Sequence, residues 1–321
     1  MFYDIIPAPM GMHYKGSVPI ERYGYLYMGK KMLFVYNPKA GKAKIRNKLS
    51  DILEVFAREG YELTVCPTQK SGHAIELVAN RKPDYDLVVC SGGDGTFDEV
   101  VSGMMQSCFL TPIGYIPAGS TNDFAGSLSL SNNMVEAAEN IVKGTNFACD
   151  IGSFNRETFV YIAAFGLFTD VSYETEQEMK NLLGHVAYLL EGMKRLHTLR
   201  SYHMKIICDD KVIEDDFMFG MITNSVSVGG FKRITGPNVE LDDGLFEVTL
   251  IKMPKNPVEL NEIMVSLMNS VIGTDLIYCF RTSKLECESE EVIAWTLDGE
   301  YGGSHKFVEI ENYCKAIEIR K

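Results

Sequence analysis

Asp86-Leu87-Val88-Val89-Cys90-Ser91-Gly92-Gly93-Asp94-Gly95-Thr96 is the stretch from which the fold is read. Leu87–Cys90 is a short continuous apolar run, the pattern of a strand buried on both faces. It empties directly into three glycines that enclose one carboxylate. Glycine reaches backbone conformations closed to other residues and lets main-chain N–H groups approach an anion closely. A carboxylate beside such a nest suits bare phosphate poorly. It suits phosphate accompanied by Mg2+, whose preferred ligands are oxygen atoms. The stretch implies a sheet strand whose carboxyl end carries a nucleotide site, with phosphoryl transfer as the chemistry such a site serves.

Working outward, strand and helix patterns alternate from Met32 to about Gly144. Met32–Tyr36 is an apolar strand, and Ile45, Leu49, Ile52, Leu53 and Phe56 recur at helical spacing up to Gly60. Tyr61–Cys66 reads as the next strand, followed by a helix with Ser71 as N-cap and Ala74, Leu77 and Val78 on one face. Phe97–Met105 is a helix, Ile113–Ile116 a strand and Met134–Lys143 a further helix. This alternation predicts a parallel sheet covered by helices on both faces, with ligands bound beyond the carboxyl ends of the strands. The loops there are Asn37–Gly41, Thr68–His73, Ser91–Thr96 and Pro117–Asp123. After Asn146 the pattern changes to strands joined by tight turns. Asn155-Arg156-Glu157 and Asp209-Asp210-Lys211 mark hairpins, and Phe246–Ile251, Leu276–Phe280 and Val292–Leu297 are further strands. Helical stretches interrupt near Leu182–Leu196 and Val258–Val271. The expected fold is α/β plus β: an N-terminal Rossmann-like parallel-sheet nucleotide domain over 32–145 and a C-terminal antiparallel β-sandwich domain over 146–321, whose last strands have the option of packing back on the first. Residues 1–31 form an N-terminal extension.

The bulk properties agree. A length of 321 residues suffices for two domains, and 46% hydrophobic with 23% charged residues is a globular composition. A net charge of −12 argues against broad nucleic-acid binding, which needs clustered Lys and Arg. The eight cysteines are scattered without any Cys-x-x-Cys pair, as expected of reduced thiols in a cytoplasmic protein. No run approaches the ~20 apolar residues of a membrane span, and the N-terminus lacks the apolar core of a secretory signal.

Two further segments carry chemistry. In Asn37-Pro38-Lys39-Ala40-Gly41, Pro38 stiffens the turn and Gly41 opens it, leaving amides for phosphate oxygens. Alone, this pattern is also an ordinary turn. In Pro117–Ala125, Gly119 permits close approach while Ser120, Thr121, Asn122 and Asp123 offer polar groups where a helix begins. Asp123 equally suits a residue that complements the helix dipole.

In this order and spacing, the three segments resemble the diacylglycerol kinase catalytic-domain family, which includes sphingosine kinases and bacterial soluble lipid kinases. The resemblance continues through Val239-Glu240-Leu241-Asp242-Asp243-Gly244-Leu245-Phe246-Glu247 and Leu297-Asp298-Gly299-Glu300, and spans Met32–Lys321. It implies an ATP-dependent lipid kinase acting on a lipid hydroxyl, with diacylglycerol as the foremost acceptor. It places ATP against Asn37, Pro38, Lys39, Ala40, Gly41, Thr68, Gly92, Gly93, Asp94, Gly95, Thr96, Phe97, Asp98, Gly119, Thr121, Asn122 and Asp123. Asp94 would act on the phosphate and Mg2+ side, supported by Asp123. Glu300 would be the general base that takes the proton of the attacking hydroxyl. A second, structural Mg2+ would sit on Asp243 with main-chain oxygens of Glu240 and Leu245. Without the resemblance, Asp242-Asp243-Gly244 reads as an ordinary turn, and so does Gly299-Glu300.

One position departs from the pattern. Where many relatives carry Asn two residues after the glycine turn, this chain has Asp98, an extra carboxylate that exchanges a hydrogen-bond donor for a charge. For membrane access, Leu182, Leu183, Val186, Leu189, Leu190 and Met193 form an apolar stripe followed by Lys194, Arg195, His197, Arg200 and Lys205. The segment could lie on an anionic lipid surface as a peripheral contact, but a helix packing its stripe against the sheet is the favoured reading. An exposed strand edge in the second domain leaves a homodimer open. The competing functional readings are an NAD kinase-like small-molecule kinase, which shares a Gly-Gly-Asp-Gly-Thr turn, and a catalytically weak nucleotide- or lipid-binding module.

Overall fold

Side chains of the central strands point alternately to two separate apolar layers, and this decides how the first part of the chain folds. On β1 (Lys30–Tyr36), Leu33 and Val35 join one core while Met32 and Phe34 join the other. On β3 (Leu87–Gly92) the same division separates Val88 and Cys90 from Leu87 and Val89. Burial on both faces demands helices on both sides. The computed structural model describes residues 29–81, 84–107, 111–166, 200–209, 211–228, 231–232, 239–268 and 274–321. Between β1 and β3 lie α1 (Ala40–Ala43), α2 (Leu49–Arg58), β2 (Tyr61–Pro67) and α3 (His73–Ala79). After β3 come α4 (Asp94–Ser107), β4 (Ile113–Pro117), α5 (Asp123–Ser127) and α6 (Met134–Lys143). The strands pair in parallel in the order β2-β1-β3-β4. Helices α3 and α4 supply one apolar layer, α2 and α6 the other.

The expected N-cap of α3 is corrected by the structure. Gly72, not Ser71, precedes the helix, and no local side chain caps it. Glu99 of α4 does so instead, accepting from the backbone N–H groups of Gly72 at 2.7 Å and Ala74 at 3.0 Å. The two helices on that face are thereby joined end to side.

The remaining strands are β5 (Asn146–Phe154), β6 (Glu157–Phe159), β7 (Ile162–Gly166), β8 (Tyr202–Cys208), β9 (Lys211–Thr223), β10 (Ser227–Val228), β11 (Phe231–Lys232), β12 (Phe246–Lys252), β13 (Ile277–Thr282), β14 (Lys284–Leu297) and β15 (Glu300–Arg320). Helix α7 (Pro257–Met268) lies between β12 and β13. Antiparallel pairing dominates here, as the hairpin turns predict. Long strands produce the layering. β9 pairs with β8 along Lys211–Phe217 and with β7 along Phe219–Thr223. β14 likewise pairs with β8 along Glu286–Ser289 and with β7 along Trp295–Leu297. The four strands therefore close around a core that includes Phe154, Phe159, Phe165, Phe217, Phe246 and Trp295. Strands that bend from one layer into the other are the usual means of turning such corners.

The two halves share one sheet. The end of β15 pairs in parallel with β4 at Ile319↔Ile113 and antiparallel with β5 at Ile319↔Phe147. No helix among the described residues is long and apolar enough to cross a membrane. The expected helix Leu182–Leu196, with its basic residues Lys194, Arg195 and His197, lies outside the described residues.

Candidate active site

Three loops at the carboxyl ends of β1, β3 and β4 meet backbone to backbone, and glycine is what permits it. A Cβ on Gly119 would stand 2.6 Å from the Cα of Gly93 and 2.7 Å from Oδ1 of Asn122. A Cβ on Gly41, whose φ is +52°, would stand 2.0 Å from the carbonyl oxygen of Ala118. The close approach expected of these glycines toward a ligand is thus first an approach of the loops to one another. Side chains complete the junction. Asn37 donates to the Thr96 hydroxyl at 3.3 Å and accepts from the Lys39 N–H at 2.9 Å. Asn122 accepts from the Gly119 N–H at 2.9 Å and donates back to the Gly119 carbonyl at 3.2 Å. Thr68, at the end of β2, donates its N–H to the Tyr36 carbonyl at 2.8 Å and so borders the same face.

Asp94 opens α4, a helix whose first amides have no intrahelical acceptor. Its carboxylate accepts from the N–H groups of Asp123 at 3.2 Å and Phe124 at 3.3 Å, tying the glycine turn to the Gly119–Asp123 loop. Burial, then the nearby Asp123, pushes the Asp94 carboxyl up to about 6, against the pull of those two N–H donors. Oxygen ligands such as the Asp94 and Asp123 carboxylates are of the type that Mg2+ prefers. Ser91 Oγ and Thr121 Oγ1 are buried without a hydrogen-bond partner, so polar capacity is left open at these loops. Asn37–Gly41, Gly92–Thr96 and Gly119–Asp123 therefore converge, with Thr68 bordering the same face. Phe97 does not contribute a side chain. It is fully buried and stacks on Tyr115 at 4.4 Å and Phe124 at 5.3 Å, so its place in the ATP set is corrected to core packing beneath the turn.

Glu300, from the far end of the sequence, reaches this turn: its Oε1 lies 3.5 Å from where a Cβ on Gly95 would be. Asp298, in the turn between β14 and β15, holds it there. The Asp298 carboxylate accepts from the N–H groups of Val160 at 2.5 Å, Tyr161 at 2.9 Å and Ile162 at 3.0 Å. These are the residues at which the expected single strand Phe159–Phe165 breaks into β6 and β7. Burial, then the nearby Asp298, raises the Asp98 carboxyl, whose Oδ1 is buried without a hydrogen-bond partner. Next to Asp98 and Glu300 opens a cavity of about 450 Å3 with Ile75, Met105 and Leu297 as apolar wall and Arg156 and Tyr301 at its polar side. Neither Arg156 nor Tyr301 stands in a motif, and the sequence carries no signal for them.

The expected second metal site is a different matter. Asp243 accepts from the Leu245 N–H at 3.0 Å through one oxygen and is ion-paired to the Arg281 guanidinium through the other. Arg281 also lies 3.2 Å from Glu247, its cross-strand partner, and feels Glu240. Burial raises Glu247 to about 7, with Arg281 opposing and Asp243 adding to the rise. A guanidinium already occupies the carboxylate and would repel a dication, so Glu240, Asp243 and Leu245 do not fit a bound Mg2+. The turn itself is fixed by the fully buried Asp150, which accepts from the Gly244 N–H at 2.6 Å and the Lys315 N–H at 2.7 Å. No motif marks Asp150 in the sequence.

Comparison with known proteins adds to this geometry. Residues 31–154 match the diacylglycerol kinase catalytic domain, and residues 163–318 the YegS C-terminal NAD kinase beta sandwich-like domain. The chain is 32% identical over 278 residues to a diacylglycerol kinase of Bacillus subtilis, covering 85% of this chain and 91% of that one. It is 33% identical over 279 residues to a diacylglycerol kinase of Staphylococcus carnosus, covering 86% and 90%. A Bacillus anthracis structure solved as a candidate diacylglycerol kinase superposes with a TM-score of 0.78 at 26% identity, covering 91% of this chain and 97% of that one.

Proposed function

The chain belongs to the diacylglycerol kinase family, and on that premise we propose that it transfers the γ-phosphoryl group of ATP to the hydroxyl of diacylglycerol, giving phosphatidic acid. The observation that carries this reading is the position of Glu300 against Gly95. It sets a carboxylate beside the place where the phosphate turn would hold the γ-phosphoryl group. Phosphoryl transfer asks little covalent chemistry of a protein and depends on positioning and charge neutralisation. The loops of 37–41, 92–96 and 119–123 bind and orient the triphosphate through main-chain N–H groups. Glu300 takes the proton from the lipid hydroxyl, as a base within about 3 Å can. Mg2+ bound with ATP beside Asp94 and Asp123 would neutralise phosphate charge. The cavity beside Glu300 offers the acceptor apolar wall on one side and polar groups at the reacting end. A lipid acceptor requires work at a membrane surface, so peripheral contact from the cytoplasmic side belongs to the reading.

The domain assignment, with an ATP-binding unit over 32–145 of Rossmann-like type and a lipid-binding unit over 146–321, is part of the same proposal. Radiolabelled ATP offered with diacylglycerol, phosphatidylglycerol, sphingoid bases, polyprenols and NAD tests it. Label in phosphatidic acid is the expected result. Label in NADP alone would overturn the lipid reading.

A further inference from the structure

Asp298, which anchors the Glu300 turn, and the Asp94–Asp123 pair belong to opposite halves of the chain, and a short buried segment joins them. Asp298 accepts the Tyr161 N–H at 2.9 Å, and the Tyr161 carbonyl in turn accepts the Asn224 N–H at 3.0 Å. Asn224, Ser225 and Val226 directly follow β9. Asn224 and Ser225 are fully buried, and the Asn224 side-chain amide donates to the Asp150 carbonyl at 2.8 Å. From there the segment reaches α5. The Ser225 and Ser127 hydroxyls are 2.8 Å apart, and the Val226 N–H donates to Ser127 Oγ at 3.2 Å. Ser127 donates to the Asp123 carbonyl at 3.2 Å, and the Asp123 N–H donates to Asp94 at 3.2 Å.

The chemistry of a hydroxyl orders these contacts. A serine has one proton to donate and two lone pairs with which to accept. The Asp123 carbonyl can only accept, so it takes the Ser127 proton. The Val226 N–H can only donate, so it fills one lone pair. Ser225 must then donate to the other. Every hydrogen-bonding capacity of Ser127 is used, and loss of one partner leaves a polar group at the junction without its bond.

We propose that Ser127 is a positioning residue for phosphoryl transfer, whose hydroxyl clasps the Asn224–Val226 segment to α5 and so sets the distance between the Glu300 turn and the Asp94–Asp123 pair. Asp94 and Asp123 stand on the phosphate side of the reaction and Glu300 on the hydroxyl side, and transfer requires the two sides at a fixed separation. The parallel pairing of β15 with β4 joins the halves at Ile113, the amino end of β4. The clasp joins them among the loops at the carboxyl ends of the strands, where the separation matters.

The proposal rests on the kinase reading of Glu300 and the glycine turn, and two measurements separate the claims. Amide hydrogen exchange followed by NMR reads the clasp without substrate. In Ser127→Ala the Val226 amide should exchange faster by on the order of tenfold, the worth of one hydrogen bond, and the Asp123 amide should follow it. Transfer of phosphate from ATP to diacylglycerol reads the consequence. Ser127→Ala and Ser225→Ala should each lower kcat on the order of tenfold to a hundredfold, as small misplacements do, with ATP affinity by isothermal titration unchanged. Ser127→Thr, whose hydroxyl can still bond the carbonyl one turn back, should recover most of the loss. Because both serines serve one clasp, the double alanine variant should be no slower than the slower single one. Thermal unfolding confirms that each variant is folded. The proposal is overturned by a wild-type kcat in Ser127→Ala, by ATP affinity falling in step with kcat, or by a Thr variant as slow as the Ala variant. Single losses that multiply in the double variant, or unchanged exchange at Val226 and Asp123, would overturn it equally. A wild type that transfers nothing while the exchange shifts occur would instead overturn the kinase reading.

Discussion

Asp94 illustrates how a single residue at a working site is kept at the expense of stability. Its carboxyl is raised from its ordinary value of 3.8 to about 6, mainly by burial. A raised carboxyl favours the folded state while protonated. The folded protein therefore loses that contribution as pH rises from about 4 through 6. In protein free of nucleotide and divalent ions, Asp94→Asn should be more stable than the wild type at pH 7 by about 1–3 kcal/mol, since each tenfold change in proton affinity is worth about 1.4 kcal/mol. The difference should vanish at pH 4, and urea unfolding across this range measures it. The same variant should lose phosphoryl transfer, since a stabilising change at a working site commonly removes function. At this scale the sequence marks Asp94, Asp123 and Glu300 through its motifs, and the fold brings the three to one glycine turn. The sequence is not legible for the three backbone N–H groups that Asp298 collects. Which groups a carboxyl meets depends on the fold, and Val160, Tyr161 and Ile162 lie far back along the chain.

Among the elements, glycine positions set how tightly the strand-end loops can meet. Gly119→Ala would press a methyl group onto the Gly93 backbone and the Asn122 side chain. The loops must part to admit it, and the expected cost is about 1–3 kcal/mol, as for other overpacked sites. ATP affinity should fall in the same variant, while Gly126→Ala, where a Cβ meets nothing within 4 Å, should leave affinity unchanged. Isothermal titration with ATP separates the two cases. The order of strands and helices is readable from apolar spacing, because β1 and β3 are apolar on both faces and their flanking helices on one. The break between β6 and β7 is not, since Val160–Ile162 is as apolar as any strand. At the interruption Asp298 collects the N–H groups of Val160, Tyr161 and Ile162.

Among the described residues, one 13-stranded sheet folds the C-terminal half of the chain back onto the N-terminal half. Local patterns mark its strands but give no sign that β9 and β14 each run through both layers, since that depends on bends and register shifts such as the one between Glu288 and Ile293. Charge placement is likewise a property of the assembled sheet. Arg281 and Glu247 are opposite each other across β12 and β13, and Arg281 thereby reaches Asp243. Arg281→Gln should lower stability by about 1–3 kcal/mol, because Glu247 is left buried without its cation. Chemical denaturation of the two proteins measures the difference. Asp243→Asn should leave the Mg2+ response of the melting midpoint as it is in the wild type; loss of that response would restore a metal to this turn. The central claim is that sheet closure delivers Glu300 to the glycine turn as the base of a lipid kinase. Its most direct test is phosphate transfer from ATP to diacylglycerol by Glu300→Gln, with ATP binding measured on the same preparation. The account predicts that ATP binding persists while transfer falls by about 10²–10⁴-fold, the range for removal of a general base. Transfer at the wild-type rate would contradict it.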